Sequence, residues 1–205
     1  MMEMLSTFAI AFVFSFIGTI PPGTLNLTII QLGLNHRTDV AWRMAFAAAI
    51  IEYPYAWIAV EFQEYLSQSI GITDDFHLVS GLVMVLLGVL ILWSSTKPSK
   101  FTKRLNESGF RKGIILALLN PLAIPFWMAM TAYLKSHDWI NLSDQLEIHA
   151  YLIGVSAGTI ALFMLFAYLA RMVVSYLKSS RILRLLPGVV LILLGIYSFG
   201  EYMFG

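Results

Sequence analysis

Apolar residues along this chain gather in six long runs separated by short polar intervals, at about residues 5–33, 39–62, 76–95, 111–134, 148–172 and 183–203. Crossing a hydrocarbon layer of roughly 30 Å takes about 20 apolar residues in a helix, so each run predicts one transmembrane span. Two of the runs are interrupted where an unbroken helix is the cheapest structure. The first carries "IGTIPPGTLN" (17–26), with Pro21, Pro22, Gly23 and Asn26, and the fourth carries "LLNPLAIPF" (118–126), with Asn120, Pro121 and Pro125.

Composition turns these spans into an integral membrane protein of one compact helical bundle. Of 205 residues, 59% are hydrophobic and only 12% charged, with a mean hydropathy of +0.78, which excludes an ordinary soluble domain. The N-terminal run lacks a basic leader and continues into the proline interruption, so it is expected to stay as the first span. With no cysteine, thiolate metal sites and dithiol redox chemistry are excluded. His36, His77, His137 and His149 do not cluster in the sequence, and neither a resident metal nor a cofactor is expected.

Charge orients the bundle. Of the 13 basic residues, all except Lys135 lie in or beside the intervals after the first, third and fifth spans, including the stretch "KPSKFTKRLNESGFRK" (97–112). The opposite face collects acids such as Glu61, Glu64, Asp74, Asp75, Asp138, Asp144 and Glu147. By the positive-inside rule both termini lie outside the cytoplasm, in a multi-pass protein of the cell (inner) membrane. Topology signalling accounts for the basic stretch, and no nucleic-acid partner is expected.

Six spans with both ends on one side divide into two three-helix halves that must be inverted relative to each other. "GLVMVLLG" (81–88) and "GVVLILLG" (188–195) agree at Gly81/Gly188, Val83/Val190, Leu86/Leu193, Leu87/Leu194 and Gly88/Gly195. They are the third and sixth spans, where an inverted repeat requires a match. The expected fold is therefore all-α, with six transmembrane helices in a 3+3 inverted-topology repeat and broken helices 1 and 4. Its parts are residues 1–96, a basic cytoplasmic loop at 97–110, and residues 111–205.

The interruptions are the first candidate site. A proline inside a helix lacks an N–H and clashes with the carbonyl four residues back, which here would free the carbonyls of Ile17, Gly18, Ala117 and Pro121. Lipid offers such groups nothing, so non-helical backbone is tolerated at that depth only within protein or beside a wet cavity. Pro22 lies roughly 10 residues from the cytoplasmic end of its span and Asn120 about nine, or about 15 Å, near the midplane. Paired interruptions at one depth point to a central site formed by Pro22, Gly23, Asn26, Asn120 and Pro121. Prolines that merely kink helices for packing are the competing reading.

A carboxylate supplies the second candidate. Glu52 falls near the centre of the second span, in a small-residue stripe with Ala45, Ala49, Ala56 and Ala59 that should face the bundle interior. No lysine or arginine lies centrally in any span, so a static ion pair is not expected. Such a carboxyl group carries a proton when the site is empty or is neutralised by a bound cation, and alternation between the two would couple protons to solute movement. A permanently neutral, structural glutamic acid is the alternative. Gly154 and Gly158 read as a close-packing pair, Thr24, Thr28 and Gln31 as candidate pathway residues, and Trp42, Trp57, Trp93 and Trp139 as interfacial anchors. Trp127 is deeper, a core or cavity-wall residue.

"PPGTLN", the basic loop running into "GIILALLNPLAIPF" and the six-span plan together resemble the LysE family of lysine exporter-type translocators, which includes homoserine and threonine exporter relatives. Family members show Pro-Gly-Pro in the first span and Asn-Pro-Lys in the fourth. Here Pro22 and Gly23 match, with Thr24 in place of the second proline, and Asn120 and Pro121 match, with Leu122 in place of lysine. Glu52 matches an acidic residue common in the family's second span; none is placed in the fifth. The resemblance implies efflux of amino acids or similar small metabolites, driven by a proton or cation gradient, by homodimers in the lipid bilayer. A secondary exporter is thus the leading expectation. An inorganic cation exporter of the same superfamily, and a non-transporting assembly or signalling protein, are the alternatives, and no constellation of nucleophile, base and orienting group points to an enzyme.

Overall fold

Side-chain size decides which way the longest helix faces. In a computed structural model, which describes residues 2–20, 23–70, 109–120 and 123–172 with scattered positions within 81–92 and 189–203, Ala45, Ala49, Ala56 and Ala59 are buried. Phe46, Ile50, Trp57 and Ile58 on the same helix are about half exposed. Small side chains inward and large apolar ones outward is the arrangement of a helix packed against others within lipid.

Every regular element among the described residues is a helix. In chain order they are α1 (Met2–Gly18), α2 (Thr24–Leu34), α3 (Thr38–Ile70), α4 (Gly109–Leu118), α5 (Ala123–Ser136) and α6 (Gln145–Tyr168). Thr38–Tyr65 of α3 and the whole of α6 are each long and apolar enough to cross a membrane. The pair α4 and α5, bent by 67° at a short break, passes the same test together, whereas α1 and α2 are shorter apolar helices. The sequence-expected third and sixth spans and the basic loop fall largely outside the described residues.

Packing is organised around α3 and α6, which lie against each other. Helix α6 also covers α1 and α2, while α3 covers α4 and α5. The α1–α6 contact is backbone-close: a Cβ added at Gly154 would stand 2.5 Å from the Phe8 carbonyl oxygen, and one at Gly158 would overlap that of Phe12. Hydroxyls fill the remaining polar needs of this seam. Ser15 Oγ donates to the Val155 carbonyl at 2.6 Å and lies 3.1 Å from Thr159 Oγ1, and Ser156 Oγ donates to the Ala49 carbonyl at 3.1 Å, fastening α6 to α3.

The prolines behave differently from one another. Helix α3 runs through Pro54 without ending. Pro125, expected to interrupt the fourth span, is instead the third residue of α5. In the first turn no N–H has an intrahelical acceptor, so proline costs nothing there.

Helix ends repeat along the chain. Helix α1 winds down through Thr19 N–H to Ser15 and Ile20 N–H to Ile17; α4 does so through Leu119 N–H to Ile115 and Asn120 N–H to Ala117. Helices α2 and α5 both close on a left-handed residue, His36 (φ 57°) and Asp138 (φ 54°). In α2 the closing bonds run from His36 to Gly33 and from Arg37 to Leu32; in α5 they run from Asp138 to Lys135 and from Trp139 to Leu134. Each pair of bonds is a Schellman closure, which satisfies the last carbonyls of the helix.

Replacing Gly158 with valine forces α1 and α6 apart, because the obstacle is backbone rather than a movable side chain. We expect a loss of about 1–3 kcal/mol, read as a lower unfolding midpoint in detergent. A midpoint equal to the parent's shows that the two helices do not touch there.

Candidate functional site

Glu52 lies on the inward stripe of α3, and its Oε2 accepts a hydrogen bond from Trp127 Nε1 at 2.6 Å. Trp127 is on α5, 2% exposed, with Phe126 edge-on at 5.0 Å and Tyr151 edge-on at 6.4 Å. Tyr151 Oη in turn lies 2.9 Å from Thr131 Oγ1, one turn past Trp127 on α5, and both hydroxyl-bearing residues are fully buried.

Three residues beyond Glu52, and so on nearly the same face of α3, Tyr55 donates its hydroxyl to the Leu118 carbonyl at 3.1 Å. Leu118 is the last residue of α4. One turn of α3 therefore grips both sides of the second interruption, taking a free carbonyl of the helix before it through Tyr55 and the indole of the helix after it through Glu52. The first interruption is closed locally. Asn26, buried one turn into α2, donates its Nδ2 to the Thr19 carbonyl at 2.5 Å.

The two interruptions also adjoin. A Cβ at Gly18, the last residue of α1, would overlap the ring of Phe126 in the first turn of α5. Only a residue without a side chain leaves that ring its place.

Of the sequence-predicted site residues, Glu52 is part-buried on the inward stripe of its helix, and Asn26 is buried with its amide committed to a backbone carbonyl. Gly23 stands at the N-cap of α2 with open space around its Cβ position. Asn120 is at an exposed position just past the end of α4, where its carbonyl accepts from Ala123 N–H at 3.4 Å. Pro22 and Pro121 lie outside the described residues, as do Pro21 and Leu122. Thr28 turns its hydroxyl to the Thr24 carbonyl of its own helix at 2.7 Å, and Gln31 is exposed. Among the described residues no three His, Cys, Asp or Glu side chains gather as a metal site. Trp42, Trp57 and Trp139 occupy exposed positions, and Trp93 lies outside the described residues.

Sequence reasoning missed three groups. The partner of Glu52 is a neutral indole rather than a cation, and the signal for it was a tryptophan too deep for the interfacial belt. Tyr55 was legible as a polar tip three residues from Glu52. Glu147, counted with the solvated outer acids, falls instead in the first turn of α6, because that helix begins at Gln145. It is 7% exposed with its Oε2 unpartnered, so the first turn of α6 carries a buried acid.

The family model described as LysE type translocator matches residues 16–199. The chain belongs to the LysE type translocator family. No curated protein and no solved structure matches it significantly. As a LysE type translocator it is an integral membrane protein of a family of transporters, which implies a small-molecule solute. Both interruptions and Glu52 lie within the matched residues.

In this LysE translocator, Asn26→Leu keeps side-chain size but leaves the Thr19 carbonyl without its amide. Thermal unfolding should show a loss of about 1–3 kcal/mol, the cost of an unmade buried hydrogen bond. Parent-like stability means that the interruption does not depend on this amide.

Proposed function

We propose that this LysE translocator is a secondary exporter of amino acids or related small metabolites, whose solute binds beside Glu52 and whose cycle is coupled to protons or another cation. The hydrogen bond between Glu52 and Trp127 carries this reading. It fixes a part-buried carboxyl group on the inward stripe of α3 with a donor that brings no charge of its own. When it gives up its proton, a carboxyl group so placed attracts whatever cation reaches it, a proton or the ammonium of a solute. Phe126, Trp127 and Tyr151 around the site favour an organic cation over a bare metal ion, since aromatic faces attract ammonium groups.

Gly23, Asn26 and Asn120, with Pro22 and Pro121 beside them, form the interrupted backbone on either side of the solute. The architecture is six spans in two inverted halves, residues 1–96 and 111–205, joined by the basic loop 97–110, with interrupted first and fourth spans. Packing supports the inversion. Exchanging the first span with the fourth and the second with the fifth turns the contact of α1 with α6 into that of α4 and α5 with α3, and leaves the α3–α6 contact in place. The matched helix endings support it as well, shifted by a nearly constant interval along the chain. So does Gly195, whose added Cβ would stand 2.7 Å from the Gly81 carbonyl, within the two segments that the sequence matches. The protein sits in the cell membrane with both termini extracytoplasmic, and functions as a homodimer.

Reconstitution into proteoliposomes tests the reading. Glu52→Gln should reduce gradient-driven efflux of radiolabelled lysine, threonine and homoserine to that of empty liposomes while keeping the parent's melting temperature. Efflux undiminished in this variant removes the coupling role of Glu52. A parent protein that moves none of these solutes removes amino acids from the substrate class.

A further inference from the structure

We infer that the neighbouring C-terminal ends of α2 and α6 form a binding site for the phosphate headgroup of an anionic phospholipid, held by Arg171 and His36. The inference lies outside the solute site and uses only the proposed orientation, which turns these helix ends toward the cytoplasmic leaflet, where anionic lipids gather.

Backbone contact builds the site. A Cβ added at Gly33, in the last turn of α2, would overlap the Ala167 carbonyl oxygen of α6, so the two helices approach with no room for a side chain at that point. Their endings are carried together. Past Gly33 the chain turns at left-handed His36, closing α2, and past Ala167 comes Arg171, whose Nη2 lies 3.2 Å from His36 Nε2. Both side chains are exposed.

A guanidinium only donates, so Nε2 accepts, and the imidazole is the neutral tautomer with its proton on Nδ1. An arginine spent on a neutral ring is a positive charge left unmatched. Among the described residues the one ion pair joins Arg43 to Asp39 at 3.4 Å, which occupies the acid nearest to His36 in the sequence, while Arg37, exposed beside His36, adds a further positive group. The rest of the Arg171 fork, planar and donor-only, fits two phosphate oxygens side by side. What flanks these charges favours a lipid over a dissolved anion. Leu34, Leu169 and Met172, their near neighbours along the chain, are exposed apolar surface that acyl chains cover and a dissolved phosphate leaves wet.

Lipid titration of the purified full chain in detergent, followed by thermal unfolding, tests this. Phosphatidylglycerol should raise the melting temperature, and phosphatidylcholine, whose ammonium cancels the phosphate charge, should not. Arg171→Ala should shift the phosphatidylglycerol response to about five-fold higher concentration, the worth of one basic group at an anionic surface. Arg43→Ala, which removes a cation already paired with Asp39, should leave it at the parent's value. Equal losses in the two variants reduce the effect to general surface charge and overturn the site, as does a parent indifferent to phosphatidylglycerol. An equal response to inorganic phosphate makes the occupant a dissolved anion and overturns the lipid. If Arg171→Ala does not fold, imidazole 15N spectra of the parent answer. The His36 signal, assigned by its loss in His36→Asn, a residue that suits the left-handed turn, should move with phosphatidylglycerol and stay with phosphatidylcholine. A signal unmoved by both overturns the inference. None of these readouts involves transport, so failure here leaves the exporter reading standing.

Discussion

Inside a bilayer no solvent is available to complete a hydrogen bond, so every departure from a helix must be satisfied by another part of the chain. Here that constraint falls on the ends of α1 and α4. The Thr19 carbonyl is taken by the Asn26 amide and the Leu118 carbonyl by the Tyr55 hydroxyl. Neither closure comes from the helix that ends. The second is supplied by α3, whose next inward polar residue, Glu52, holds the indole at the start of α5. The segment between α4 and α5 is thereby bracketed by a single turn of a neighbouring helix, and the position of the carboxylate and the shape of the interruption are set together.

Such bracketing requires α3 to approach closely, which explains its composition. Alanine at 45, 49, 56 and 59 lets backbones come near enough for the side chains at 52 and 55 to reach across. Helix α6 solves the same problem against α1 with glycine and hydroxyls: Gly154 and Gly158 admit the backbone, and Ser15 and Thr159 meet in the seam. Between apolar helices in lipid there is no hydrophobic drive to associate, so close dispersion contact and these few hydrogen bonds hold the bundle together.

Much of this was legible from residue size and polarity. The alanine stripe, the glycine pair of α6 and the placing of Glu52 on the inward face all followed from spacing that a helix of 3.6 residues per turn makes meaningful, while the family resemblance came from the motifs at the two interruptions. What escaped was of two kinds. The role of Pro125 depended on where a helix restarts, and a two-residue shift turns a helix breaker into a first-turn residue. Glu147 escaped for the same reason, since its burial follows from α6 beginning at Gln145. The other kind was pairing between distant segments. Trp127 and Glu52 are 75 positions apart, and nothing in their local sequence names one as the partner of the other.

That the partner is tryptophan rather than arginine has a consequence for what the site can do. Breaking a buried ion pair costs about 3–5 kcal/mol, because a charge is left stranded. A hydrogen bond from a neutral donor to a charged group contributes about 1.5–3 kcal/mol and strands no second charge when it opens. The indole holds the carboxyl group in place without adding a charge of its own, so the contact can open without leaving a second charge stranded.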